Sequence, residues 1–402
     1  MTFGTAPVGE VTSEPEMWTP EETRAGATFS YVDIGSIDAA TKRIRGASTV
    51  AVAEAPSRAR QIVKSGDILV STVRPNLNAV AVVPPELDGA IASTGFAVLR
   101  PDTTKVDGPY LLHWVCSPQF IRALVTRATG ASYPAVTEAV VRAAQLPLPP
   151  LAEQRRIAAV LDKADGIRRK RRESLKLLEE FLRSAFLEMF GDPVRNEQGW
   201  ELVAVERLAS GDPGGVIIGP FGSDLKVGDY QDEGHPVVFV RDIKAGRFEW
   251  SSSVYVSSAK FNQLAAHQVR AGDVLVTKMG LPPGIAAVYD AAMPIGVVTA
   301  DVIRMTCDPG SCVPEYVAAA INSPHGHAQV AKLTEGATRP KVTLRGFRAL
   351  TLRLPPITLQ RRYANVVASV KRCRDRCARA SAASDALFDS LAQRAFGGGV
   401  AV

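Results

Sequence analysis

Two kinds of hydrophobic pattern alternate along the chain. The first is a series of short apolar runs rich in Val and Ile and broken by Gly, Pro and Asp, as at 67–73, 79–83 and 95–100. Runs of that length between turn formers predict β-strands. At 110–126 apolar residues recur every three or four positions, which predicts a short helix. The second pattern is long and helical. Pro149-Pro150 closes the preceding chain, because a residue before proline avoids the helical region. No proline follows until Pro193, and Gly166 is the one interior glycine, a local weakness of about 1 kcal/mol. Ile157, Leu161, Ala164, Leu175, Leu178, Leu182, Ala185 and Met189 form a heptad seam, interrupted by Arg168 and Arg171.

Both patterns occur twice, at an offset of 206 residues, Gly66 to Gly272. Gly66-Asp67-Ile68-Leu69-Val70 matches Gly272-Asp273-Val274-Leu275-Val276, Tyr110 matches Tyr316, and Ser117-Pro118 matches Ser323-Pro324. Further on, Gly130-Ala131 matches Gly336-Ala337, while Pro134, Val136 and Thr137 match Pro340, Val342 and Thr343. Leu148-Pro149-Pro150, Gln154-Arg155-Arg156 and Phe190-Gly191 match Leu354-Pro355-Pro356, Gln360-Arg361-Arg362 and Phe396-Gly397. No gap is needed between Gly66 and Gly191, so the chain is an internal duplication. The second helical seam runs through Tyr363, Val367, Val370, Phe388, Leu391 and Ala395, with Arg374, Ser381 and Ser384 in its middle. A helix of about 40 residues spans about 60 Å and cannot bury such a seam alone. The simplest packing sets the two helices against each other, antiparallel, with a mixed domain at either end of the rod. The alternative keeps each helix on its own domain.

The expected architecture is therefore α+β, with two pseudo-symmetric domains joined by two long antiparallel coiled-coil helices. The boundaries fall at 1–150 for the first domain, 151–190 for the first helix, 191–356 for the second domain and 357–397 for the second helix. Composition adds limits. Hydrophobic residues make up 46% and charged residues 22% of the 402, the proportions of a globular protein. No apolar run approaches the roughly 18 residues of a membrane helix, and 1–20 lacks the basic start and apolar stretch of a signal peptide, so a cytoplasmic location is expected. Five cysteines make no disulfide framework, and Cys307, Cys312, His325 and His327 lack the tight spacing of a zinc site. A net charge of +6 permits a polyanionic partner without requiring one.

Catalytic motifs are missing. Leu281-Pro282-Pro283-Gly284 lacks the polar lead and the aromatic of a DNA methyltransferase, and no Gly-x-x-x-x-Gly-Lys-Ser/Thr or Gly-x-Ser-x-Gly run occurs. Asp242 and Lys244 lie close together in the manner of a nuclease, but a strand end and its turn explain them better. No cofactor, metal site or catalytic residue is expected.

Particular motifs carry a resemblance. Leu148-Pro149-Pro150-Leu151-Ala152-Glu153-Gln154-Arg155-Arg156-Ile157, the stretch Met189-Phe190-Gly191-Asp192-Pro193 with Asn196 and Gly199-Trp200, and the loop Gly219-Pro220-Phe221-Gly222-Ser223 resemble the specificity subunit of type I restriction–modification systems. The likeness runs from about residue 30 to the C-terminus. It implies two target recognition domains, each reading one half of a bipartite site on double-stranded DNA. It also implies that the helices set the spacing and dock two methyltransferase (modification) subunits, with a restriction subunit joining through them, and that the chain itself does no chemistry. Two departures stand out. Leu359 replaces the acidic residue of the boundary motif in the second copy. The first domain is short at its start, with about 30 residues before Tyr31 against about 46 between Gly191 and the comparable Val237, and it lacks the Gly-Pro-Phe-Gly-Ser loop. A stand-alone DNA-binding adaptor of another defence or regulatory system, or an unrecognised nuclease, are the alternatives.

Base reading needs side chains that reach base edges, Arg and Lys for guanine and Asn and Gln for adenine. Loops next to strands are the places to look. Arg74, Asn76 and Asn78 follow the strand at 67–73, and Lys278 occupies the aligned loop of the second copy. Tyr133 aligns with Arg339, and Ala135 with Lys341. Lys226 and Arg241 are further candidates. Scaffold positions match between the copies while these positions differ, so the two halves should read different sequences. Arg168, Arg169, Lys170, Arg171 and Arg172 cover every face of a helix, so some of them should meet phosphates or a partner.

Overall fold

A computed structural model describes residues 3–22, 26–130, 132–211, 214–336 and 339–396. The repeat positions Ala131, Ala337 and Gly397 lie outside these. The chain divides into two compact units, residues 1–172 with 379–402 and residues 173–378. The division falls inside the long helices, Leu151–Phe190 and Ile357–Phe396, so each unit holds a half of both.

The first unit holds a four-stranded antiparallel sheet in the order Val80–Val82, Ile68–Ser71, Phe96–Pro101, Thr12–Ser13. A five-stranded mixed sheet runs Glu16–Met17, Ala59–Ile62, Ile91–Ser93, Thr28–Val32, Ser48–Ala51. Strand Ile68–Ser71 is buried on both faces. Leu69 packs with Val32, Ala81 and Phe96, whereas Ile68 and Val70 face the helical side, with Tyr110, Leu111 and Ile157. This period-2 division of one apolar run is why the sequence there shows no polar alternation. Each such side chain stabilises the fold by roughly 1.5–3 kcal/mol.

The second unit repeats this plan. Its four-stranded sheet is Ala286–Val288, Val274–Thr277, Val302–Met305, Val216–Ile218. The registers coincide across the repeat: Val70 faces Val80 as Val276 faces Ala286, and the parallel pair Tyr31–Ile91 returns as Val237–Val297.

The repeated residues are largely turn and cap chemistry. Gly66 and Gly272 adopt φ of +90° and +86°, a region that favours glycine, at the turn before the central strand. The next residue, Asp67 or Asp273, is buried and accepts the backbone N–H three residues back, both at 2.8 Å. Gln154 and Gln360 are fully buried clasps. Their carbonyls accept from Asp107 N at 2.9 Å and Val313 N at 3.0 Å, and their amides donate to Pro149 O and Pro355 O at 2.8 Å. The neighbouring Glu153 makes only a surface pair with Arg156, so Leu359, packed on the core, can replace it. After the first long helix, Trp200 Nε1 donates to Phe190 O at 3.0 Å and Asn196 bonds Trp200 at both ends, which clamps the Phe190–Trp200 segment.

Three findings refine the expectations. The helix expected at 110–126 is two, Gly108–Val115 and Pro118–Val125, because Ser117 caps a new start and Pro118 occupies its first turn. The short start of the first domain still supplies the structural strands. Thr5–Pro7 pairs with Gln145–Pro147 as Glu201–Ala204 pairs with Thr351–Leu354, and Thr12–Ser13 takes the sheet edge that Val216–Ile218 takes in the second unit. The two alternatives for the helices prove compatible. In the first unit Arg168 meets Asp385 and Arg171 donates to Ala380 O, while Ile157 and Leu161 pack with Leu391 and Ala395, so the helices run antiparallel. The same helix halves also close the core of their own unit, where Phe396 meets Tyr110 at 5.5 Å between ring centroids. In the second unit Phe186 and Phe190 pack on Tyr363 of the second helix and on Tyr316.

Candidate nucleic-acid interface

In each unit the loop after the central strand is zipped to a second loop from the helical side. Val136 N donates to Thr72 O at 2.9 Å, and Val73 bridges Ala135. In the second unit Val342 N donates to Lys278 O at 2.9 Å, and Met279 bridges Lys341. These are the same bonds at the same offset. They bring the residues at 72–78 beside those at 132–136, and those at 278–284 beside 339–342.

The side chains presented differ. In the first unit the Arg74 guanidinium lies 4.4 Å from the centre of the Tyr133 ring, and Tyr133 is 68% exposed. Arg74 (φ +49°) and Asn78 (φ +50°) are both left-handed and bracket a tight turn, Pro75–Leu77, that holds Asn76 and Leu77 in solvent. Asn78 itself is committed, since its amide donates to Cys116 O at 3.1 Å. Of the three candidates in this loop, Arg74 and Asn76 are therefore open to a ligand and Asn78 anchors the turn.

In the second unit Arg339 and Lys341 are exposed. Lys278 is half-buried, and its ammonium donates to Ala300 O at 3.1 Å. Leu281, 89% exposed, stands between Gly280 and the cis Leu281-Pro282 bond. Lys226 and Arg241 belong to segments around the mixed sheet. The Lys226 side chain is exposed beside the Asp229–Lys260 pair. Arg241 lies 4.3 Å over the Phe239 ring and donates to the Ser252 hydroxyl at 2.9 Å. Asp242 is fully buried, and its carboxylate accepts from Phe239 N, from Ser251 N and Ser252 N, and from both hydroxyls. That saturation makes it a turn anchor, with no lone pair left for a metal or water.

The basic run on the first helix meets a partner within its own unit. Arg168, 17% exposed, bonds Asp385 at 2.7 Å and lies 4.3 Å over the Phe388 ring, and Arg172 reaches the same carboxylate at 3.1 Å. Arg171 donates to the Ala380 carbonyl, and Arg169 pairs with Asp165 at 3.0 Å. Arg168, Arg171 and Arg172 are thus engaged in helix pairing, and Arg169, Lys170 and Arg172 are exposed at the surface.

Sequence reasoning missed Lys42. It sits at φ +56°, its ammonium donates to the Asn78 carbonyl, and burial pushes its pKa below the ordinary 10.5. Nothing local in Thr41-Lys42-Arg43 signals this, because the contact spans 36 residues. The exposed apolar tips Leu77 and Leu281 were also missed, although Pro75 and Pro282 nearby marked tight turns. Among the described residues no group of three or more His, Cys, Asp or Glu side chains is placed to hold a metal, and no helix is long and apolar enough to cross a membrane.

Comparison with known proteins agrees with this architecture. A family model for the type I restriction modification DNA specificity domain matches residues 22–177. A stretch of 148 residues, 36% of this chain, is 26% identical to the type I restriction enzyme HindI specificity subunit of Haemophilus influenzae and spans only 32% of that protein. A chain from a solved type I R-M system, studied for complex assembly and conformational transition, superposes with a TM-score of 0.60 and 25% identity over 98% of this chain and 97% of its own. The S subunit of the type I restriction-modification system from M. genitalium shares the fold at 12% identity, with a TM-score of 0.58 over 98% of this chain and 95% of that one. A duplicated α+β domain carried on two long helices defines the class of fold. Within that class, residues 22–177 match the type I restriction modification DNA specificity domain, and the chain is similar to specificity subunits of that system.

Proposed function

We propose that this chain selects a bipartite sequence on double-stranded DNA for a type I restriction–modification complex. Each zipped loop pair reads one half-site, and the paired helices fix the gap between the halves. One observation carries the reading: identical backbone bonds build the loop pair in both units, while the side chains displayed on it differ. A constant frame with variable readers is what two-part sequence recognition requires, because phosphate contacts position a protein and base contacts specify. Arg74, Asn76 and Tyr133 act for the first half-site, with Asn78 holding their turn. Arg339 and Lys341 act for the second, with Lys278 behind them and Lys226 and Arg241 toward the flanking backbone. The outer basic residues of the first helix, Arg169, Lys170 and Arg172, meet phosphate or partner subunits. Two modification subunits dock on the chain and bring the restriction subunit with them, and the assembly works in the cytoplasm. The chain contributes recognition and scaffold, and its partners contribute catalysis.

Purified full-length chain, incubated with a pool of randomised duplex DNA, should retain duplexes sharing two short motifs at a fixed spacing. Retention without a shared motif would refute the reading. So would cleavage of DNA by the chain alone with magnesium. Gel filtration after co-expression with a modification subunit tests the assembly, which should elute as a single larger species.

A further inference from the structure

The first unit holds a feature without a counterpart at the aligned positions of the second, Gly280 and Arg339. Arg74 is an exposed arginine whose guanidinium, among the described residues, has no carboxylate or hydrogen-bond partner and rests on an exposed aromatic ring. Other arginines of the same unit lie against carboxylates instead, as Arg100 does against Asp67 at 2.9 Å and Arg142 against Glu138 at 2.7 Å. The Arg74 backbone is left-handed, an unfavourable state for a branched-chain-sized residue that persists only where the surroundings impose it. Three contacts impose it. Arg74 N donates to Pro134 O at 2.6 Å, the Asn78 amide donates to Cys116 O, and the Lys42 ammonium donates to Asn78 O. Pro134 adjoins Tyr133, so the bond that sets the arginine backbone also sets the ring beneath its side chain.

Resting on the proposed DNA reading, we infer that Arg74 recognises a guanine in the half-site of the first unit, with Tyr133 as the platform that orients it. The planar guanidinium stacks on an aromatic face and keeps its N–H edge free. That edge matches the O6 and N7 acceptors that guanine alone presents together in the major groove. Stacking restricts the side chain before DNA arrives, so less freedom is lost on binding. Lys42 and Asn78 are positioning residues behind the turn. The second unit has Gly280 and Arg339 at the aligned positions, so this guanine dependence belongs to one half-site only.

The test is selection from randomised duplex DNA with the full-length chain and four variants. Wild type and Tyr133→Phe, which keeps a ring, should enrich the same bipartite motif. Arg74→Ala and Arg74→Lys should lose guanine preference at one position of one half-site, by about 5- to 100-fold, with every other position kept. Tyr133→Ala should weaken the same position less. Arg74→Lys retains charge, so it separates base reading from simple attraction to phosphate. If Arg74→Ala lowers affinity for all sequences alike and flattens the salt dependence while the motif stays intact, Arg74 contacts phosphate and the inference fails. An unchanged motif at unchanged affinity overturns it as well, and leaves the broader DNA reading standing. A wild-type chain that enriches no motif sinks both. Should Arg74→Ala not fold, the comparison of Tyr133→Phe with Tyr133→Ala decides, because loss of the ring alone must then degrade one guanine.

Discussion

The two units share a frame and diverge at its margins. Strand registers, helix caps and the buried Gln clasps recur at one offset, yet the segment entering each mixed sheet is laid differently. In the first unit Glu16–Met17 joins the edge formed by Ala59–Ile62. In the second, Tyr230–Gln231 joins the opposite edge, on Tyr255–Val256. The cores differ as well. Phe190 and Phe396 are aligned, but Phe190 sits among Phe186, Tyr316 and Tyr363, whereas Phe396 meets one ring, Tyr110, and has Ala392 and Ile157 at the matching places. Duplication has preserved what turns and pairs the backbone. It has released the side chains displayed on the zipped loop pairs and, in part, those that fill the core.

The sharpest test of that contrast is truncation of the aligned phenylalanines. Phe190→Ala should cost the second unit about 3–5 kcal/mol, since it removes a buried ring from a packed aromatic cluster. Phe396→Ala should fall at or below the lower end of that range in the first unit, where a single aromatic contact is lost. Tryptophans separate the units: Trp18 and Trp114 lie in the first, Trp200 and Trp250 in the second. Denaturant titrations in backgrounds that keep only one pair report each unit alone. Equal losses at both sites would show that the aromatic cluster adds nothing beyond ordinary packing.

Alkali gives the next largest separation. In the second unit burial raises Tyr289 and Tyr316 well above the ordinary 10.0 and pushes Tyr363 up to about 12. In the first unit Tyr110 is raised in the same way. Each unit also holds a buried thiol kept protonated, Cys116 at about 11 and Cys307 further up, and these roughly cancel. A raised folded pKa stabilises fully below the unfolded value and is lost as pH climbs toward the folded one. Each tyrosine therefore costs about 1.4 kcal/mol per pH unit above 10. At pH 11 the second unit should have lost roughly 2–3 kcal/mol more than the first, as read from the same tryptophan pairs at pH 9 and pH 11. Parallel losses would mean that these phenols ionise inside the folded protein.

Much of this frame was legible in the sequence. The long helices could be bounded because Pro149-Pro150 and Gly191 stop any helix, and the duplication showed because turns and caps tolerate few residue types. The candidate loops could be named, but their side chains could not be sorted. Asn78 and Lys278 have the composition of base readers, yet their side chains are spent on the carbonyls of Cys116 and Ala300. A hydrogen bond to a carbonyl far along the chain leaves no periodicity to find. The entering strands of the first domain escaped for a related reason. Two or three residues, as at Thr12–Ser13, are too few to show alternation, and their pairing is decided by the edge they meet. The basic run at 168–172 was expected to meet phosphates or a partner. That the partner for Arg168, Arg171 and Arg172 is the chain's own second helix depended on register, which charge alone does not set.

That register supplies the finest comparison. Asp385 and Glu179 are aligned carboxylates on the two long helices. Asp385 accepts from Arg168 and Arg172 across the helix pair, at 2.7 and 3.1 Å. Glu179 instead pairs with Arg247 of its own unit, at 3.1 Å, and is 58% exposed. Asp385→Asn should destabilise the first unit by about 1–2 kcal/mol, because it strips a charge-assisted bond from the largely buried Arg168, a loss moderated by the exposure of the carboxylate. Glu179→Gln should cost the second unit less than about 0.5 kcal/mol and vanish in high salt. Acid offers an independent check. The Arg168 hydrogen bond holds the Asp385 carboxyl below its ordinary 3.8, so its contribution is complete above that value and disappears as pH falls through the lowered one. The gap between wild type and Asp385→Asn should therefore be constant from neutral pH to about pH 4 and close below it. A gap that persists unchanged well below that point would mean that shape at Asp385, and not charge, holds the helices in register.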